Sequence, residues 1–294
     1  SIKNMLILTF TNNAAHEMKE RIRISIKEAC ESYPSLKDEL NFIDNAYITT
    51  FDSFALSIVK KYHYLLGIGK DISIVDSSII DLKKEELLDN IFEKNYKNKD
   101  SNFLKLVDLL CVKDDNNLKL MLIDINNKID LVIDKNNFFD NYINEHYNDN
   151  FVNNILKDYE NLLKEKIRNI KIMLNDLSSE VDGKYIDEYD KELNNLLVSD
   201  DYTSIKNNVA NIKLSPLRNS TELGKNIKSL ITSTIKDINN MCYHSKDEII
   251  KNIYDTRDYV VAIIDILKEL DKQIRNYKLS INKYEFNDIS MMAI

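Results

Sequence analysis

The first 75 residues contain two short apolar runs, each followed by a helical pattern of apolar positions. The runs MLILTF at 5–10 and AYITTF at 46–51 each predict a strand. A helix is predicted from Asn12 or Asn13, where an asparagine can act as N-cap, and a second helix, SFALSIVKKYHYLLG, is predicted to end at Gly67. The apolar residues of the first helix recur at spacings of three and four: Ala15, Met18, Ile22, Ile26 and Cys30. Strand, helix, strand and helix in this order are typical of a parallel α/β sheet.

From about residue 76 the apolar positions follow a period of 3.6, which predicts an all-helical domain of about 200 residues. The predicted helices are 79–97, 103–112, 116–132, 136–147, 150–178, 184–198, 201–212, 220–241 and 246–277. The stretches SSEVDGKY and KLSPLRNST are predicted loops within this domain. The pattern changes again near the end, where YEFNDISMMAI predicts a new helix from Asn287 or Asp288. The predicted division is therefore 1–75, 76–276 and 277–294.

The predicted fold class is mainly α, with a partial α/β segment at the start. Only 4 Gly and 2 Pro occur in 294 residues, which argues against a sandwich or barrel of many short strands. Two predicted strands are too few to close a parallel α/β domain. We therefore expect that part of the sheet lies outside this chain and that the chain is a fragment.

Charge and cysteine content narrow the class of protein further. The net charge of −8 argues against a generic basic nucleic-acid binder, although residues 1–70 carry 9 basic and 8 acidic side chains. Three widely separated cysteines form no disulfide framework, so a reducing, cytoplasmic location is expected. No apolar run approaches the roughly 18 residues of a membrane span, so no membrane partner is expected.

The segment Thr9-Phe10-Thr11-Asn12 follows the first strand, at the sheet edge where α/β proteins bind ligands. Hydroxyl and backbone N–H groups at a helix N-terminus suit phosphate oxygens, and an exposed ring can stack on any base. This combination suits single-stranded nucleic acid. The alternative is that Phe10 is the last core residue of the strand and that Thr11 only caps the helix.

Two pairs of residues could contribute to a metal site, but neither is complete. His16 and Glu20 are four residues apart in HExxE, which differs from the HExxH zinc pattern and has no third ligand in view. Cys242 and His244 form Cys-x-His without a second pair, so Cys242 is predicted to be a buried thiol. No metal site and no catalytic nucleophile are predicted in this chain.

Three segments resemble motifs of the UvrD-like superfamily 1 DNA helicases, in the order that the family has them. ILTFTNNAAHEMKERI resembles motif Ia, and ITTFDSFALSIVKKYHYLLG resembles the following Thr-x-His-Ser-Phe motif. YEFNDISMMAI resembles the aromatic and acidic stretch just before the Walker B strand. The continuation KKYHYLLGIGKDISIVDSS is most similar to the AddA branch, the helicase/nuclease subunits of bacterial double-strand-break repair.

The resemblance implies a fold and a set of DNA contacts. The α/β segment would be part of a RecA-like motor domain, and the helical middle would be a 1B-type insertion. The residues implied to contact single-stranded DNA, with Phe10 stacking on a base, are Thr9, Phe10, Thr11, Asn12, Thr50, Asp52 and Ser53. Asp52 departs from the family, which commonly has His there, and a carboxylate cannot donate a hydrogen bond to phosphate.

The resemblance also implies an activity for a longer parent protein, an ATP-dependent DNA helicase and exonuclease of DNA repair and recombination. The parent would use ATP and Mg²⁺, would act on single- and double-stranded DNA, and could pair with an AddB-like nuclease subunit. This chain contains neither the phosphate-binding GxxxxGK(S/T) loop nor a Walker B acidic pair, so we expect it to bind no cofactor and to lack ATPase activity. The alternative is a stand-alone helical protein-interaction domain without a catalytic role.

Overall fold

The computed structural model describes residues 1–218 and 220–294, and most of them are helical. The α-helices in these residues are α1 (Asn12–Ala29), α2 (Phe51–Tyr62), α3 (Ser77–Asn98), α4 (Ser101–Leu110), α5 (Asn116–Ile129), α6 (Lys135–His146), α7 (Asp149–Leu177), α8 (Gly183–Leu197), α9 (Tyr202–Val209), α10 (Glu222–Met241), α11 (Lys246–Asp255), α12 (Arg257–Ile281) and α13 (Phe286–Ala293). The strands are β1 (Leu6–Thr9), β2 (Tyr47–Thr50), β3 (Ser73–Ile74) and β4 (Lys283–Tyr284). Short 3-10 helices are Ile2–Asn4, Pro34–Asn41 and Ile43–Asn45. The predicted mainly α class is confirmed.

The described chain divides by packing into two compact units. Unit 1 comprises Ser1–Phe139 and Ala262–Ile294, and unit 2 comprises Asp140–Val261. The boundaries of this division lie within α6 and α12. The predicted boundaries after residues 75 and 276 concern a division by function, and they stay a prediction.

The first sheet of unit 1 confirms the predicted strand–helix–strand–helix order. β1 and β2 pair in parallel, with Leu6 opposite Tyr47 and Thr9 opposite Thr50. Side chains alternate between the two faces of a strand. One face of this sheet forms a buried cluster with α1 through Ile2, Ile43, Ala46 and Ile48, with Ile22 and Ile26 packed against it. Met18, predicted on the same face of α1, is instead exposed, because it lies beyond this cluster.

The helix after β2 ends one turn earlier than predicted. α2 ends at Tyr62, and the five residues that follow form a turn that ends at Gly67. Gly67 has a φ of 65°, a conformation that costs a residue with a Cβ atom more than it costs glycine. The amide of Ile68 donates to the carbonyl of His63 at 3.2 Å, which closes the turn. The glycine therefore marks the end of a turn and not the end of the helix.

A second, two-stranded parallel sheet in unit 1 was not predicted from the sequence. β3 pairs with β4, with Ile74 opposite Tyr284. Tyr284 belongs to a buried cluster that includes Val59 of α2 and Ile289 of α13. Each strand has only two residues, which is too short for an alternating pattern, and the pairing joins segments far apart in the chain. The last segment of the chain is thus anchored to α2 and β3.

The last helix begins slightly before the predicted position, and its N-terminus is fixed by acidic side chains. The Asp288 carboxylate accepts from the backbone N–H of Glu285 at 2.8 Å. The buried ammonium group of Lys278 lies 2.6 Å from Asp288 Oδ2 and 2.7 Å from Glu285 Oε2. Burial alone would lower the pKa of Lys278, but the two carboxylates outweigh burial and raise it.

A chain of buried charges connects α3, α5, α6 and α12. Lys84 is completely buried, and its Nζ atom lies 3.1 Å from Asp130 Oδ2 and 2.6 Å from Asn127 Oδ1. Asp130 also pairs with Lys135, whose Nζ atom lies 3.0 Å from Asp271 Oδ1. Each of these charges therefore has an opposite charge as a partner, as a buried charge requires.

The charge chain shifts the pKa values of its members. Burial by itself would raise the pKa of Asp130, but the ammonium groups of Lys84 and Lys135 outweigh burial and lower it from 3.8. Burial would likewise lower the pKa of Lys135, but Asp130 and Asp271 raise it above 10.5. Both shifts favour the charged forms, so the network is ionised across the neutral pH range.

Unit 2 is helical throughout its regular structure, and its core lies between α7, α8, α9 and α10. The completely buried residues of this core include Leu163 and Ile170 of α7, Leu193 of α8 and Ile231 of α10. Tyr189 is also completely buried, and its hydroxyl donates to the carbonyl of Ser215 at 2.5 Å. In the described residues of both units, no helix is long and apolar enough to cross a membrane.

The segment predicted as one helix at 246–277 is two helices, α11 and α12, interrupted at Thr256. The Thr256 hydroxyl donates to the carbonyl of Ile253 at 2.6 Å and contacts the Tyr147 hydroxyl at 2.9 Å. A threonine hydroxyl bound to a preceding carbonyl competes with the backbone hydrogen bonds of a helix. The predicted loops at 178–185 and 213–221 lie between helices as expected, although Asn219 lies outside the described residues.

Candidate nucleic-acid interface

The two predicted DNA-contact segments lie side by side at one edge of the first sheet. β1 and β2 run parallel, so both end at the same edge, and Thr9 lies directly opposite Thr50. α1 begins two residues beyond Thr9 at Asn12, and α2 begins at Phe51, immediately after Thr50. The edge therefore carries the N-termini of two helices, where unpaired backbone N–H groups and the helix dipole favour anions.

The turn between β1 and α1 is held by the two threonines, and the ring between them points to solvent. Thr9 Oγ1 donates to the carbonyl of Thr11 at 3.0 Å, and Thr11 Oγ1 accepts from the backbone N–H of Ala14 at 3.1 Å. Phe10 is fully exposed. The interpretation of Phe10 as a core residue is therefore wrong, whereas the alternative role of Thr11 as the helix cap is confirmed.

The cap of α1 is Thr11 and not the predicted Asn12 or Asn13. These two asparagines are the first residues of the helix, and both are exposed. No hydrogen bond holds either side chain in the described part of the chain. The amide of Asn12 is thus available to a ligand at the edge of the sheet.

Replacement of Thr11 by alanine should lower stability, because it removes an N-cap worth about 1 kcal/mol. In a unit of this size that loss corresponds to a decrease in the melting midpoint of about 2–4 °C. Thermal unfolding followed by circular dichroism measures it. Asn12→Ala is the matched control, because Asn12 makes no cap bond, and it should melt close to wild type. Equal midpoints for Thr11→Ala and wild type would contradict the assigned cap.

The turn between β2 and α2 uses its hydroxyl groups in a similar way. Thr50 Oγ1 accepts from the backbone N–H of Ser53 at 3.3 Å and bonds the Ser53 hydroxyl at 2.9 Å. Asp52 is exposed in the first turn of α2. An acidic side chain at this position interacts favourably with the helix dipole, but it also opposes a phosphate group at the same place.

One aromatic residue at this edge was missed in the sequence analysis. Phe51 follows Thr50 as Phe10 follows Thr9, and 53% of its surface is exposed. By contrast, Phe54 of the same helix packs edge-to-face on Tyr47, with ring centroids 5.3 Å apart. The repeated Thr-Phe pair after each strand is the signal that could have identified Phe51.

An enclosed space in unit 1 lies away from the predicted contact edge. This cavity of about 390 Å³ is lined by Asp130, Lys135, Lys278, Tyr284 and neighbouring residues, and by none of the predicted contact residues. The Tyr284 hydroxyl is buried there without a hydrogen-bond partner in the described structure. A strand of nucleic acid can pass across an open edge, so the predicted contact does not require a cavity.

The residues considered as metal ligands do not come together into a site. Among the described residues, no three His, Cys, Asp or Glu side chains are arranged to hold a metal ion. Cys242 is buried as predicted, and burial raises the pKa of its thiol to about 11 despite the opposing effect of Lys206. His244 lies 3.8 Å from Glu248 at the start of α11.

Comparison with known proteins shows which of them this chain is similar to. An ATP-dependent helicase/nuclease subunit from Clostridium beijerinckii is 25% identical over 323 residues, which cover 100% of this chain and 26% of that protein. The protein of the same name from Natranaerobius thermophilus is 26% identical over 325 residues, which cover 98% of this chain and 25% of that protein. That from Anoxybacillus flavithermus is 38% identical over 110 residues, 36% of this chain and 9% of its own length.

This chain spans about a quarter of the length of the two relatives that match it almost throughout. Residues 1–202 match the family described as UvrD/REP helicase N-terminal domain, and this range includes both segments at the sheet edge. The resemblance inferred from the short motifs therefore extends well beyond them. The chain belongs to the UvrD/REP helicase N-terminal domain family.

Proposed function

We propose that this chain is the DNA-contacting part of an ATP-dependent DNA helicase/nuclease of the AddA type that acts in DNA repair and recombination. The family membership and the names of the relatives support this function over a stand-alone interaction domain. The substrates are single- and double-stranded DNA. A cytoplasmic location follows from the same proposal.

One observation carries the proposed DNA contact. The register that places Thr9 opposite Thr50 brings both motif segments to one edge of the sheet, although about 40 residues separate them in the chain. That edge presents an exposed ring, the free amide of Asn12 and the N-termini of two helices. These groups suit a single strand, because a ring stacks on a base and backbone N–H groups bind phosphate oxygens.

The helical residues from about 76 to 276 correspond in this proposal to the 1B-type insertion of a RecA-like motor domain. Their position between the two DNA-contact segments and the segment that returns to α2 supports this role. The relatives are named as subunits, which supports assembly with another chain, and an AddB-like nuclease is the proposed partner.

The residues of this chain do not fit an ATP–magnesium site. The sequence contains no GxxxxGK(S/T) loop, and the turn between β1 and α1 contains no glycine. The described residues also offer no group of three side chains suited to a metal ion. In our proposal, ATP and Mg²⁺ bind elsewhere in the complete gene product, and the strand-gripping edge is the contribution of this chain.

The test of this function measures phosphate release with and without single-stranded DNA. We expect the complete gene product to hydrolyse ATP in a DNA-stimulated, Mg²⁺-dependent reaction and to separate a forked duplex. The 294-residue chain alone should show no turnover, because it lacks the phosphate loop. Turnover by the chain alone would contradict the proposed location of the nucleotide site. A complete gene product without DNA-stimulated turnover would contradict the helicase function itself.

A further inference from the structure

Two phenylalanines occupy equivalent positions at the carboxyl edge of the first sheet. Thr9 and Thr50 are partners in the register, so Phe10 and Phe51 each follow one member of the same residue pair. Phe10 is fully exposed, and 53% of the surface of Phe51 is exposed. Neither ring contacts another aromatic ring in the described part of the chain. Two large apolar side chains are thus left open to solvent at one place on the surface.

We propose that Phe51 is a second stacking ring and that Phe10 and Phe51 together hold neighbouring bases of one single strand. This inference rests on the proposed function, and it adds a residue that the motif resemblance does not assign. Neighbouring strands of a sheet lie about 4.8 Å apart, which is of the same order as the rise of about 3.4 Å per nucleotide in a DNA strand. The two positions therefore match the spacing of consecutive nucleotides.

The charges at this edge favour contact through bases over contact through phosphates. No Lys or Arg occurs in residues 9–13 or 50–54. The exposed carboxylate of Asp52 lies in the first turn of α2, where a phosphate would otherwise bind. The Thr50 hydroxyl already accepts from the N–H of Ser53 at 3.3 Å. Base faces are uncharged, so a ring beside this helix N-terminus can bind a strand where phosphate binding is opposed.

The structure of α2 separates the proposed role of Phe51 from a role in packing. Phe54 fills the packing role in this helix, since it is half-buried against Tyr47. The buried residues of α2 are Ala55 and Val59, one and two turns further along the helix. Phe51 belongs to none of the buried clusters of unit 1. Its removal should therefore leave the stability of the unit nearly unchanged.

The test compares the binding of oligonucleotides to the complete gene product in which Phe51, Phe10 or both are replaced. Binding of labelled dT and mixed-sequence strands is measured by fluorescence anisotropy, and stacking by the quenching of 2-aminopurine placed in the strand. Phe51→Ala should weaken binding roughly 5- to 150-fold for both strands and relieve the quenching. Phe51→Tyr should retain most of the affinity, whereas Phe51→Leu should not, because leucine is apolar but has no π-face.

Two controls separate stacking from other causes. Tyr33→Ala removes a ring that is 65% exposed but lies beyond the other end of α1, about 27 Å away, and it should bind like wild type. The slope of log affinity against log salt concentration should be the same for Phe51→Ala and wild type, because a ring releases no counterions. A changed slope or a lowered melting midpoint would overturn the stacking role.

The result also distinguishes this inference from the proposed function. If Phe10→Ala weakens binding and Phe51→Ala does not, the second ring is wrong and the DNA-contact edge remains. If both variants and the double variant bind like wild type, the proposed contact edge is wrong as well. Full affinity in Phe51→Leu would indicate apolar contact without stacking, and it would overturn the inference.

Discussion

Replacement of Asp130 by alanine is expected to lower the free energy of unfolding of unit 1 by about 3–5 kcal/mol. Asp130 is the carboxylate that pairs with the completely buried ammonium group of Lys84 at 3.1 Å. Without it, Lys84 keeps only the neutral amide oxygen of Asn127 at 2.6 Å. An uncompensated buried charge is among the most costly defects in a folded protein. Urea unfolding measures the loss, and hydrogen exchange of the α3 and α5 amides locates it.

The matched control for this variant is Asp124→Ala, on α5. Asp124 forms an ion pair with Lys128 at 2.7 Å, but both side chains are mostly exposed. Exposed pairs contribute about 0–1 kcal/mol, so this variant should unfold nearly as wild type does. Similar losses for Asp124→Ala and Asp130→Ala would show that burial of the Lys84 pair has no special energetic role.

The dependence of this effect on pH has a definite direction. The folded-state pKa of Asp130 lies below 3.8, so its carboxylate contributes stability that is fully present above that value. The contribution is lost as the pH falls through the lower folded-state pKa. The difference in stability between wild type and Asp130→Ala should therefore be constant near neutral pH and shrink below about pH 4. A difference that grows on acidification would contradict the assigned ion pair.

Replacement of Phe10 by alanine in the complete gene product should weaken binding of single-stranded DNA by about 1–3 kcal/mol. The loss should be nearly equal for different base sequences, because every base has a π-face. Phe10→Tyr should retain most of the affinity, since the ring is kept. Fluorescence anisotropy with dT and dA oligonucleotides measures these changes. The melting midpoint should not change, because Phe10 is fully exposed and makes no core contact.

Val112→Ala provides the control for loss of an exposed apolar side chain. Val112 is 98% exposed and lies between α4 and α5, so it has no part in the proposed edge. Its replacement should leave both DNA affinity and melting unchanged. Unchanged DNA affinity in Phe10→Ala would remove Phe10 from the strand-contact residues, whatever the result for Phe51.

The sequence alone was sufficient for the elements whose pattern is local. The runs before Thr9 and Thr50 indicated strands, and the spacing of apolar residues indicated most of the helices with ends within a few residues. Helical periodicity depends on residues three and four apart, and this information lies in the sequence itself. The two motif segments were also recognisable, because their short runs of residues resemble those of a known family.

Features that join distant segments were decided only by the tertiary structure. The pairing of Ile74 with Tyr284 connects two-residue strands about 210 positions apart, and no local pattern reports it. The burial of Lys84 could not be predicted, because lysine is normally exposed and its partner Asp130 comes from a distant part of the chain. The break at Thr256 likewise depends on a hydroxyl contact with Tyr147.

The candidate site shows both contributions together. The sequence identified Phe10 and the flanking threonines, but it left open whether the ring was buried or exposed. It also gave no reason to connect Phe10 with Phe51. Exposure depends on which other segments cover a side chain, and adjacency depends on the register of β1 and β2. Both are properties of the packed chain, so the sequence determined which residues are available and the fold determined which of them meet at one edge.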